Sequence, residues 1–81
     1  MRLPRDLSGE ELAVLLEDYG YEVTRQTSSH MRLTTTQGGE HHVTVPRHKS
    51  LRVGTLSAIL RDVVEHLGIP RQTLLETLFG R

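Results

Sequence analysis

The sequence predicts an α+β fold: a three-stranded antiparallel sheet with helices on one face, in the order α-β-β-β-α, followed by a short C-terminal helix. Three observations carry this. A capped amphipathic stretch opens the chain, three short runs of period-two alternation follow, and a long run with helical periodicity comes after them. Helices bracketing such a sheet cover one of its faces and leave the other wet. The 81 residues suit one domain, taken as 1–81, with a modest core.

The first helix begins at Ser8-Gly9-Glu10-Glu11, a capping box with Ser8 as N-cap and Glu11 at N3. Leu12, Leu15, Leu16 and Tyr19 form its apolar stripe, and Gly20 stops it. The first strand spans Tyr21 to Gln26, with Tyr21 and Val23 on one face. The second spans His30 to Thr36, with Met31 and Leu33 inward and His30, Arg32 and Thr34 outward. Gln37-Gly38-Gly39-Glu40 reads as a hairpin turn. The third strand, His41 to Val45, places Val43 and Val45 inward and His42 and Thr44 outward, and Pro46 ends it. "PRHKSLRVG" is a basic loop before the second helix, whose stripe is Leu56, Ile59, Leu60, Val63, Val64 and Leu67. Gly68 ends that helix. Pro70 opens a third, with Leu74, Leu75, Leu78 and Phe79 apolar. The last three of these are also available to a partner chain.

The net charge of zero hides an uneven distribution. Residues 1–22 hold two arginines against six acids, net −4; residues 23–61 hold six cations against Glu40 alone, net +5; residues 62–81 are net −1. Four of the five histidines, His30, His41, His42 and His48, also fall in the basic middle. A basic segment in a neutral protein points to a polyanion for that segment, although a solvated surface has the same composition. The predicted wet face carries no aromatic residue, which argues against a base-stacking platform. There is no cysteine, so disulfides and cysteine-rich zinc sites are excluded. His41-His42 resembles a metal pair, but alternation sends the two rings to opposite faces, so neither metal nor cofactor is expected. The N-terminus lacks a signal-peptide core and no apolar run approaches the roughly 20 residues of a membrane span, which suggests a cytoplasmic setting without membrane contact.

Several short motifs, taken in order, resemble the HicA (YcfA-like) toxins, small mRNA interferases of type II toxin–antitoxin systems. Gly20-Tyr21 is similar to the family's G-[WFY], and a strand then ends in Arg25-Gln26. Ser29-His30 stands where the family reads G-S-H, with Ser28 in place of the glycine. Val43-Thr44-Val45-Pro46-Arg47-His48 is similar to V-[TP]-V-P-x-H, and Gly54-Thr55-Leu56-Ser57-Ala58-Ile59-Leu60 to G-T-L-x-x-I-L. The resemblance runs over nearly the whole chain. It implies a fold like double-stranded-RNA-binding domains, endoribonuclease activity on mRNA, a catalytic histidine at His30, and a neutralising HicB-type antitoxin that covers the site.

The residues bear on this chemistry directly. Metal-free RNA cleavage needs a base for the ribose 2′-OH, an acid for the leaving 5′-oxygen, and cations for the phosphorane charge. Histidine alone among side chains has an ordinary pKa near neutrality. "TSSHM" at residues 27–31 places His30 where a strand begins. By itself that is an exposed histidine with no required role; the resemblance makes it the catalytic residue. Arg32, two residues on, shares its face and is expected to contact phosphate. Ser29 enters through the motif, and Ser28 reads as a turn residue. Arg47, Lys49 and Arg52 precede the amide-rich start of the second helix and are assigned to RNA binding. His48 joins them as an electrostatic group or second proton carrier. Two other functions fit the same chain: a non-catalytic RNA-binding module, and a domain whose basic face meets an acidic protein.

Overall fold

The computed structural model describes residues 3–80. Arg2 and Arg81, counted in the charge distribution above, lie outside the described residues. Helix α1 spans Gly9–Leu16 and carries the expected capping box: the Glu11 backbone N–H donates to Ser8 Oγ at 3.0 Å, and the Ser8 N–H donates to Glu11 Oε1 at 2.9 Å. Donation from the Ser8 backbone, and then from its hydroxyl, holds the Glu11 carboxyl below the usual carboxylate range. The last turn tightens into a 3₁₀ turn at Glu17–Tyr19, closed by Gly20 at φ 80°. A side chain at position 20 would be strained by that φ and crowded by Thr35 Oγ1 at 2.9 Å.

Strands β1 (Glu22–Gln26), β2 (His30–Thr35) and β3 (His41–Pro46) form one antiparallel sheet in the order β1-β2-β3. Helix α2 (Val53–Leu67) and helix α3 (Arg71–Phe79) complete the chain. Among the described residues no helix is long and apolar enough to cross a membrane. The α+β layout is the one expected. Met31, Leu33, Val43 and Val45 are buried on one sheet face against Leu12 and Leu16 of α1 and Leu56, Leu60 and Val63 of α2. Leu74, Leu75 and Leu78 of α3 are buried in this same core rather than left open to another chain.

Two details depart from simple alternation. Val23, expected inward with Tyr21, is 46 % exposed, while Tyr21 is fully buried. β1 is an edge strand, none of its residues is buried, and Val23 borders a surface opening with Gly20 and Glu22. The second departure is a bulge. Val23 pairs with Leu33, but the next pair is Arg25 with Arg32, leaving Thr24 as the extra residue. Leu51, inside the basic loop, is also buried; its N–H donates to the Leu7 carbonyl at 2.7 Å and pins the loop to the N-terminal segment.

A polar cluster ties the covered side together. Tyr21 Oη lies 2.8 Å from His41 Nδ1, and His41 Nε2 lies 3.0 Å from Asp62 Oδ1 of α2. All three groups are satisfied when Nε2–H donates to the carboxylate and the tyrosine hydroxyl donates to Nδ1. The His41 ring stacks on His66 at 4.3 Å, and His66 Nε2 lies 2.8 Å and 3.0 Å from the carbonyls of Gln37 and Gly39 in the hairpin turn. Thr35, also buried, donates to the Tyr19 carbonyl at 2.7 Å.

This packing has two measurable consequences for stability. Gly9 is pressed so closely on the end of β3 that a Cβ there would collide with the Pro46 carbonyl oxygen. Helix propensity alone would make Gly9→Ala a gain of up to about 1 kcal/mol. The backbone clash should reverse the sign to a loss of about 1–3 kcal/mol, read as a lower thermal midpoint. Burial, with the Asp62 charge adding to it, pushes the Tyr21 hydroxyl up to about 12. Its unfolded value is about 10, so the unfolded chain releases the proton first. That contribution is complete below about pH 10 and is lost as pH rises through 12. Denaturant midpoints should therefore fall across this window, and Tyr21→Phe should flatten the fall.

Candidate functional site

His30 opens β2 and pairs across the sheet with Pro46 at the end of β3. Its ring is exposed, and Ser29 Oγ lies 2.9 Å from its Nδ1. The residues before it form a self-bonded turn. Thr27 N–H donates to the His30 carbonyl at 2.9 Å, and Thr27 Oγ1 accepts from the N–H groups of Ser29 (3.3 Å) and His30 (3.0 Å). Asp6, at φ 59°, is the one non-glycine residue with positive φ among the described residues. Ser28 therefore occupies the position of the family glycine without entering the left-handed region.

The open face beside His30 is basic. Arg32 is exposed there as expected. The bulge at Thr24 adds Arg25, directly opposite Arg32. Unbroken alternation from Val23 sends Arg25 to the covered face, and no local signal in the sequence marks the extra residue. Like charges placed opposite one another are unfavourable. Neither arginine belongs to an ion pair among the described residues. The same face carries a polar chain from Thr24 Oγ1 to Thr34 Oγ1 (2.7 Å), on to His42 Nδ1 (2.7 Å), and from His42 Nε2 to Glu40 Oε2 (3.0 Å). Both histidines of the His41-His42 pair thus have a carboxylate, which sequence proximity did not reveal for His41. They do lie on opposite faces, and among the described residues no three His, Asp or Glu side chains are grouped to hold a metal ion.

The basic loop divides. His48, Lys49 and Arg52 are exposed, and none forms an ion pair among the described residues. Arg52 is the N-cap residue of α2, which has no side-chain cap and no acid in its first turn. Its first amides are open to an anion, in contrast to the capped and acidic start of α1. A Cβ at Gly54 would meet nothing within 4 Å, so this end of the helix is open space. Arg47 differs from its neighbours. Its Nε donates to Glu10 Oε2 at 3.1 Å and its Nη1 to the Thr27 carbonyl at 2.9 Å, while its backbone N–H donates to the Ser29 carbonyl at 2.8 Å. Nothing in the sequence marks Glu10 or Thr27 for the site, because their link to position 47 is long-range.

Three clefts line α1 and the start of β1, and no predicted site residue lines any of them. An exposed histidine at a strand end, flanked by cations, suits a long ligand lying across the surface better than a small one filling a hole.

A family model described as the HicA toxin of bacterial toxin–antitoxin systems matches residues 9–63, from the first residue of α1 into α2. Every family-like motif quoted above lies within that span, and α3 lies beyond it. The comparisons with curated proteins and with solved structures gave no match.

The Arg25–Arg32 pair generates its own expectation. If the open face meets a single-stranded polyanion, Arg25→Ala and Arg32→Ala should each weaken binding. Each should also lower the slope of log affinity against log salt, by about 0.7 for every phosphate no longer neutralised. Titrations at several salt concentrations measure this, and an unchanged slope for Arg25→Ala would remove that residue from the binding face.

Proposed function

The chain belongs to the HicA toxin family of bacterial toxin–antitoxin systems, and from that premise we propose that it is an endoribonuclease that cleaves mRNA by metal-independent acid–base catalysis at His30. The observation that carries this reading is the setting of His30: an exposed ring at the margin of a basic face, with one nitrogen engaged by Ser29 and the other available. Nδ1–H donating to Ser29 Oγ leaves the Nε2 lone pair to take the proton of a ribose 2′-OH. The 2′-oxygen attacks phosphorus, the bond to the 5′-oxygen breaks, and that oxygen takes up a proton from a protonated His48 imidazole or from water. His48, exposed on the loop after β3, is the second imidazole at this end of the sheet.

Arg25, Arg32, Lys49 and Arg52, with the open amides at the start of α2, hold the RNA backbone and offset charge at the reacting phosphate. Ser29 acts through His30. A toxin-family protein implies an antitoxin partner. We take that partner to be of the HicB type, masking His30 and the basic loop, with acidic groups suited to the charge there.

His30→Ala tests the proposal. It should lower the cleavage rate by at least about 10²-fold, the lower end of what general acid–base catalysis supplies. Thermal midpoint and RNA affinity should stay close to wild type, since an exposed strand-end side chain contributes little packing. Products should end in a 2′,3′-cyclic phosphate, cleavage should persist in EDTA, and a 2′-deoxy substitution at the scissile nucleotide should block it. Cleavage surviving in His30→Ala would sink the assignment. RNA binding without cleavage by the wild type would favour the non-catalytic module.

A further inference from the structure

Arg47 has the sequence signature of a phosphate ligand, but the structure gives its guanidinium other work. We infer that Arg47, held by Glu10, is a positioning residue that fixes the Thr27–Ser29 turn and through it the catalytic histidine. The inference rests on the ribonuclease reading of His30.

Two bonds from this one residue converge on the turn, and a third ties it to α1. The backbone N–H reaches the Ser29 carbonyl at 2.8 Å, Nη1 reaches the Thr27 carbonyl at 2.9 Å, and Nε reaches Glu10 at 3.1 Å. The two carbonyls belong to the residues that shape the turn, and Ser29 also contacts the His30 ring. The rigid guanidinium fork suits a bridge between two acceptors held by different parts of the chain. Its side chain is 29 % exposed, against 53 % for Glu10.

Glu10 is not a loose surface acid. Ser8 and Glu11 cap the helix that carries it, and the adjacent Gly9 N–H donates to the His48 carbonyl at 3.0 Å. Both ends of the ion pair are thus anchored in backbone. A carboxylate bound to Arg47 also cancels the charge that a phosphate would seek there. An ion pair this exposed adds little stability, so its main consequence is geometric. Lys49 and Arg52, exposed on the same loop, remain for the RNA backbone.

The test uses Arg47→Lys and Glu10→Gln in the full chain. Arg47→Lys keeps the charge and loses the fork. Positioning predicts a fall in kcat of up to about 10²-fold, the scale of a misplaced catalytic group, with affinity for a non-cleavable 2′-deoxy RNA within about twofold of wild type. In the free protein, amide exchange at Ser29 and His30 should quicken and the His30 ring resonances should broaden or shift. Glu10→Gln should move kcat and the exchange rates the same way to a smaller degree. A direct phosphate contact predicts the reverse: Arg47→Lys close to wild type in kcat and exchange, and Glu10→Gln changing affinity alone. That pattern would overturn the inference. If Arg47→Lys fails to fold, Glu10→Gln decides on the same readouts. Were the wild type to cleave no RNA, the ribonuclease reading would fall, and exchange at Ser29 and His30 would still decide whether Arg47 holds the turn.

Discussion

The contact between the start of α1 and the end of β3 is the constraint on which the rest of this small structure depends. It exists because residue 9 has no side chain. The helix backbone sits directly on the Pro46 carbonyl, and the Gly9 N–H is spent on the His48 carbonyl. A larger residue would lift the helix from the sheet margin. The close seat serves the core, since Leu12 and Leu16 then reach the covered sheet face. It also serves the site, because Glu10 is carried to within hydrogen-bond reach of Arg47. One missing Cβ therefore links the packing of a helix to the location of a histidine on the other side of the loop.

The elements with local causes were legible in the sequence. The Ser8–Glu11 box, the glycine at position 20, the alternation of β2 and β3 and the stripe of α2 each act over a few residues, and each is where periodicity placed it. What was not legible depends on distant partners. The bulge at Thr24 is decided by how β1 fits β2, and it alone transfers Arg25 to the open face. Leu51 looks like a residue of a basic loop until Leu7 and the core are present. Arg47 looks like its neighbours Lys49 and Arg52 until Glu10 and Thr27 are present. At the site, His30, Arg32 and the exposed loop cations were readable as residue types in order; which of them are free to bind and which are already bound was not.

Charge in this protein is sorted by helix terminus. α1 starts with a serine cap and two acids, which satisfy its amides and its dipole internally. α2 starts with a cation, no cap and open space. The first arrangement closes a helix end and strengthens it. The second leaves amides and positive charge outward, which a folded chain has no internal reason to do. Arg25 opposite Arg32 has the same character, a local arrangement that a bound anion would relieve. A chain that is neutral overall thus leaves these positive groups without internal partners: Arg25, Arg32 and Arg52 form no ion pair among the described residues.

The histidines show why residue type alone does not identify a reactive group. His41 has a carboxylate, a tyrosine hydroxyl and a stacked ring around it; His66 faces two carbonyls; His42 lies between Glu40 and Thr34. Each has both a position and a structural use for its ring. His30 has a single hydroxyl partner, an exposed ring, and a turn braced from outside by Arg47. A catalytic base needs a fixed position and an uncommitted lone pair together. Bracing through the backbone of the preceding residues supplies the first without using the second. That combination sets His30 apart from the three partnered rings: its geometry is held by its neighbours in the chain, and its Nε2 makes no hydrogen bond among the described residues.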